Sequence, residues 1–188
     1  MYFITGNFNK FNEVSKIFQD ANLDVTLEQL DLNPVEIQAD SIKEVALFKL
    51  NNIKNKVEGS FFVEDAGFFV NKPLNGFPGV YSSYVYKTIG NEAILKSIES
   101  FDNTEAHFAA AIALYFKPLD KTIVFEGIVK GKVSSEMKGS HGFGFDPIFI
   151  PEEIPDKTFA ELTMQEKNEI SHRGRALKKL ITFLQDNS

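Results

Sequence analysis

Two acids, Glu64 and Asp65, close the apolar run Phe61-Phe62-Val63. Ligands of α/β sheets bind at strand ends, and a carboxylate there can hold a cation, orient water or take a proton. Adjacent strand side chains face opposite ways, so one of the pair is expected to enter a site; the alternative is a solvated turn. Glu36, in Pro-Val-Glu-Ile-Gln-Ala-Asp, is a further acid among apolar neighbours. Carboxylates without cysteine and with only three histidines suit a hard ion, Mg²⁺ rather than Zn²⁺.

Four other stretches carry chemistry. Thr5-Gly6-Asn7-Phe8-Asn9-Lys10 is a glycine turn between an expected strand and helix. Backbone N–H groups and the positive helix end suit an anion there, although many such turns are only caps. Lys49 falls on the apolar stripe of the helix expected over 41–57, beside Val45, Ala46, Leu50 and Ile53. Its stem either snorkels past these neighbours or delivers the ammonium to a site. In Gly142-Phe143-Gly144-Phe145-Asp146-Pro147, two glycines allow close approach and two rings offer flat faces. That pattern suits a nucleobase, with Asp146 as an acceptor for ring or sugar donors; the rival reading is a bend at a strand corner. Finally, Ser171 caps the last helix and places His172 and Arg173 in its first turn. Cations there oppose the helix dipole, so either an anionic or carbonyl-rich ligand docks on them or Glu166 and Glu169 neutralise them. The three histidines, His107, His141 and His172, form no readable Ser-His-Asp set.

The elements that must position these residues are mixed. Strands are expected at 2–5, 25–32, 60–65 with an extension over 67–70, and 147–150. The runs 105–116 and 122–134 flank Lys-Pro-Leu-Asp-Lys and read as a hairpin. Helices are expected at about 10–20, from Ser41 to about 57 with Ser41 and Glu44 as a capping box, around 91–100, from Thr163, and from Ser171. Residues 72–82 read as a loop. Helices alternating with long paired strands favour α/β with a mixed sheet over a purely parallel one. No repeat or linker divides the 188 residues, so a single domain over 1–188 is expected. A net charge of −6 argues against a nucleic-acid binder. No membrane span or signal peptide is readable, and a soluble, cytoplasmic protein is expected.

Taken in order, six segments resemble the inosine triphosphate pyrophosphatases, which act on non-standard purine nucleoside triphosphates. They are TGNxxK at 5–10, ALxK at 46–49, VEDxGxxV at 63–70, GxPGxYS at 76–82, GFGFDPxF at 142–149 and EKNxxSHRxxAL at 166–177. The chain has Ala66 where many members have Ser or Thr, and Phe145 where Tyr or Trp is common. The resemblance implies Mg²⁺-dependent hydrolysis of ITP, dITP and XTP to the monophosphate and pyrophosphate. It implies a homodimer, and a long mixed twisted β-sheet with flanking helices, in two lobes with the active site in the cleft. It assigns the triphosphate to Thr5, Asn7, Lys10 and Lys49, and the metal to Glu36 and Asp65, with Asp65 also activating water. Phe143, Phe145 and Asp146 would line base and sugar, and Lys167, His172 and Arg173 the base edge. The rival readings are a pyrophosphatase for a modified or pyrimidine nucleotide, and a nucleotide sensor without turnover.

Overall fold

The computed structural model describes residues 1–21 and 23–187. Asn7 starts the first helix by accepting from the Lys10 N–H at 3.1 Å, and Ser41 starts the second by accepting from Glu44 at 3.2 Å. Such caps satisfy N–H groups that a helix leaves orphaned. In chain order the elements are β1 (Tyr2–Ile4), α1 (Phe8–Asp20), β2 (Glu28–Leu30), α2 (Ile42–Ile53), β3 (Phe61–Val70), β4 (Pro78–Gly79), α3 (Ser82–Thr88), α4 (Gly90–Ile98), β5 (Glu105–Phe116), β6 (Lys121–Val133), β7 (Phe149–Pro151), α5 (Met164–Ile170) and α6 (His172–Asp186).

The strands form one seven-stranded sheet in the order β2-β1-β3-β5-β6-β7, with β4 on β3. β1 runs parallel to β2 and β3, while β4 and β7 run antiparallel to β3 and β6. The architecture is therefore mixed α/β, as the alternation of patterns requires.

The chain divides into two compact units. The first comprises Met1–Asp65, Ala110–Gly127 and Arg173–Ser188. Its core stacks Phe3 on Phe62 at 4.7 Å and packs the apolar stripe of α2. The second comprises Ala66–Ala109 and Ile128–His172. Phe68, Phe108, Phe145, Phe149 and Phe159 interlock in its core, with ring centroids 4.8–5.9 Å apart.

Three elements depart from the sequence reading. The strand expected over 25–32 is only Glu28–Leu30. The helix expected to reach 57 stops at Ile53 and tightens into a 3₁₀ turn, Lys54–Lys56. The loop expected to reach 82 holds β4 and delivers the chain into α3 at Ser82. The sequence of α3, Ser-Ser-Tyr-Val-Tyr-Lys-Thr, is rich in strand-forming types. Tertiary bonds override that preference: Ser82 Oγ accepts from the Phe68 N–H at 2.7 Å and donates to the Gly79 carbonyl at 2.6 Å.

β6 and β7 meet at Gly131, where an added Cβ would run into the Ile150 carbonyl and lie 2.7 Å from the Phe149 ring. Gly131→Ala is expected to cost about 1–3 kcal/mol as the strands separate. A urea titration checks this, and an unchanged midpoint would mean that β7 shifts freely.

Candidate active site

In the first unit, charge is carried inward by β3. The Glu64 side chain is fully buried, and Asp65 is 9% exposed. Burying a charge is costly unless it is paired, and each acid has its own partners. Glu64 Oε1 accepts from Arg173 Nε at 3.2 Å and Nη2 at 2.9 Å. Its Oε2 lies 2.6 Å from Lys10 Nζ. Arg173 Nη1 donates to Glu13 on α1, so one guanidinium ties α1, β3 and α6 together. Burial pulls the Arg173 pKa down, but Glu64 and Glu13 outweigh it and hold the residue firmly charged.

Asp65 points to a different partner, as strand alternation requires. Its Oδ1 accepts from Lys49 Nζ at 3.2 Å, and Glu36 Oε1 accepts from the same ammonium at 2.7 Å. Lys49 is buried within the stripe of α2, and its ammonium reaches this pair rather than bulk water. Burial raises the Asp65 pKa; Lys10 and Lys49 pull against the rise without cancelling it. Burial lowers the Lys49 pKa, but Asp65 and Glu36 reverse that and the net shift is upward. Both groups thus differ from their solution behaviour for stated electrostatic reasons.

Thr5 and Asn7 stand at the amino end of α1. Thr5 Oγ1 accepts from the Asn7 N–H at 3.1 Å, and the first turn of α1 holds no acid to offset its dipole. The Asp31 carboxylate lies beside Gly6 at that positive end, where a Cβ would come within 2.7 Å of its Oδ2.

In the second unit, Gly142-Phe143-Gly144-Phe145-Asp146 folds on itself. The Asp146 Oδ2 accepts from the Phe143 N–H and from Lys167 Nζ, both at 2.7 Å. Gly142 has φ +73°, and a Cβ there would meet the Asp146 carboxylate. That carboxylate explains the glycine directly. The two rings part company. Phe145 is buried, 5.0 Å from Phe68 and edge-on to Tyr86 at 5.6 Å. Phe143 is half-buried, with the Lys167 ammonium 5.0 Å from its ring centroid. The His172 ring lies 4.8 Å from Phe108 and nearly parallel to it.

The expected residues thus form two groups. Lys10, Glu36, Lys49, Asp65 and Arg173 cluster in the first unit, with Thr5 and Asn7 opening α1. Phe143, Phe145, Asp146, Lys167 and His172 belong to the second. Arg173, expected at the base edge, has its guanidinium held by Glu13 and Glu64. Glu166, offered as its neutraliser, instead closes the capping box of α5 with Thr163. Glu13 was missed in the sequence, though an acid beside Val14 on an apolar helix face gives the same cue as Lys49.

The Ham1 family model matches residues 1–183. A dITP/XTP pyrophosphatase of Thermococcus kodakarensis is 49% identical over 185 residues, covering 98% of this chain and 97% of that one. One from Pyrococcus horikoshii is 44% identical over 187 residues, covering 100% and 97%. The Staphylococcus aureus Ham1 protein superposes with a TM-score of 0.82 at 28% identity, over 100% of this chain and 98% of that one.

Arg173→Ala removes the guanidinium that buried Glu13 and Glu64 share and is expected to cost about 3–5 kcal/mol. Chemical denaturation checks it. A loss below about 1 kcal/mol, the range of an exposed pair, would show that the triad adds little to the fold.

Proposed function

The chain belongs to the Ham1 family, and from that premise we propose that it hydrolyses dITP, ITP and XTP to the monophosphate and pyrophosphate. It does so as one domain spanning 1–188, in a cytoplasmic homodimer that takes small molecules and not nucleic acid. Among the described residues no helix is long and apolar enough to cross a membrane. The observation that carries the reading is the convergence of Glu36 and Asp65 on one cationic point, with Lys10 close by.

Two carboxylates aimed at one cation fit Mg²⁺, which is bound through one or two carboxylates together with substrate phosphates. Glu36 and Asp65 are the residues that would hold it, and when bound it neutralises charge on the triphosphate. The chain's own groups do the rest. Lys10 and Lys49 bind phosphate oxygens, helped by Thr5, Asn7 and the amino end of α1. Asp65 orients the water that attacks the α-phosphorus in line and takes its proton; pyrophosphate leaves. Phosphoryl transfer of this kind depends on positioning and charge more than on covalent help.

In the second unit Phe143 offers the face on which a purine lies, while Phe145 backs it from the core. Lys167 and Asp146 fix that segment and meet base and sugar. His172 donates to the 6-oxo group, and Arg173 supports this edge by holding the start of α6. Adenine presents a donor at the same place, which leaves site donors unpaired.

Pyrophosphate release from dITP, XTP, GTP and ATP, with and without Mg²⁺, tests the proposal. Fast, metal-dependent release confined to dITP and XTP is expected; tight binding without release would make the protein a sensor. Asp65→Asn is expected to lower kcat by about 10²–10⁴-fold, the usual contribution of a positioned base, with dITP affinity by calorimetry largely kept. Full activity in that variant would remove Asp65 from the reaction.

The ionised Asp65 is the working form, so activity falls as pH drops through its pKa. Because burial raises that pKa, the acid limb of kcat/KM is expected above the range of an exposed aspartate. A limb at an ordinary carboxylate pKa would contradict the assignment.

A further inference from the structure

Asn91, near the start of α4, has no part in the reaction described above, yet it reaches the segment proposed to hold the base. Its Nδ2 donates to the Gly144 carbonyl at 3.1 Å. The orientation of the carboxamide is forced, since turning it over would set two acceptor oxygens against each other. The residue is buried, and its Oδ1 has no hydrogen-bond partner among the described residues. One bond formed and one buried acceptor left unpaired is unfavourable for stability, because the orphaned group costs more than a single bond returns.

What the bond holds explains its presence. Gly144 has φ +67°, and apart from its chain neighbours nothing lies within 4 Å of where a Cβ would stand. Both neighbours are anchored by other means. Phe143 is held through its N–H by Asp146, and Phe145 by Phe68 and Tyr86. Gly144 lies between them in a turn closed by the Asp146 N–H on the Phe143 carbonyl at 3.3 Å, and Asn91 holds the Gly144 carbonyl in addition.

The geometry points to Asn91 as a positioning residue for base selectivity. By fixing the Gly144 peptide it sets the pose of the Phe143 ring and of the Asp146–Lys167 pair. The inference rests on the functional reading above, in which that segment receives the purine. A misplacement of about 1 Å at such a surface is enough to cost about 10²-fold in rate.

The test uses Asn91→Leu, which keeps the branch at Cγ and removes the donor. Its melting temperature is expected to stay within about 4–8 °C of the wild type, because the variant removes the orphaned Oδ1 but takes the donor from the Gly144 carbonyl. KM for dITP is expected to rise about tenfold with kcat nearly unchanged, and the dITP-over-dATP ratio of kcat/KM to fall about tenfold, well within the cost of such a misplacement. Amide exchange at Phe143 and Phe145, read by NMR, is expected to quicken. An unchanged selectivity ratio in the Leu variant overturns the inference. A wild-type protein that releases no pyrophosphate from dITP overturns the functional reading instead. Unchanged exchange at Phe143 in Asn91→Leu then overturns the positioning on its own.

Discussion

Two consecutive carboxylates carried into the interior by one strand govern the first unit. A buried charge tolerates only a paired and hydrogen-bonded setting. Glu64 therefore requires Lys10 and Arg173, and Arg173 requires Glu13. Asp65, facing the other way, requires Lys49. Those partners stand on α1, α2 and α6, so three helices are located against one strand end by charge as well as by packing. A hydrophobic core alone would let helices slide by a fraction of a turn at little cost. Direct ion pairs at 2.6–3.2 Å do not.

The second unit applies the same rule on a smaller scale. Asp146 and Lys167 are both almost wholly buried and form one pair at 2.7 Å. That pair draws the carboxylate under Gly142 and ties it to the Phe143 N–H. The segment's aromatic-glycine alternation follows from this. Phe145 turns into the core, Phe143 stays at its edge, and a glycine is needed where the carboxylate passes. The alternation is thus a consequence of internal packing.

Much of this was legible in the sequence, for identifiable reasons. Lys49 stood out because a cation on an apolar stripe violates helical patterning, and the structure gives its ammonium two carboxylates. The capped starts of α2 and α5 were readable from Ser41 and Thr163 because capping is local chemistry, whereas the Asn7 cap of α1 was not read. What escaped depends on contacts distant in the chain. The partners of Arg173 lie 109 and 160 residues away, so its confinement by Glu64 and Glu13 left no local trace. The Asn91–Gly144 bond spans 53 residues. α3 escaped because the tertiary bonds of Ser82 overrule its strand-like composition. Phe143 and Phe145 read alike in sequence, and only packing separates the ring at the edge from the ring in the core.

The charge balance of the first cluster bears on how it would receive a triphosphate. Three cations, Lys10, Lys49 and Arg173, face four carboxylates, Glu13, Glu36, Glu64 and Asp65. Arg173 is spent on Glu13 and Glu64, and the two lysines are engaged by Glu64, Asp65 and Glu36. A polyanion approaching such a set meets no net excess of positive charge, and like charges at close range in a partly dehydrated site repel strongly. Two changes relieve that. One is protonation of a carboxylate, toward which the raised pKa of Asp65 leans, though it would silence the proposed base. The other is arrival of the triphosphate with its own divalent cation, which gives Glu36 and Asp65 a new partner and frees Lys49 to turn to phosphate. The second route keeps Asp65 ionised for catalysis. On electrostatic grounds a metal–triphosphate complex would suit this cluster better than the bare anion.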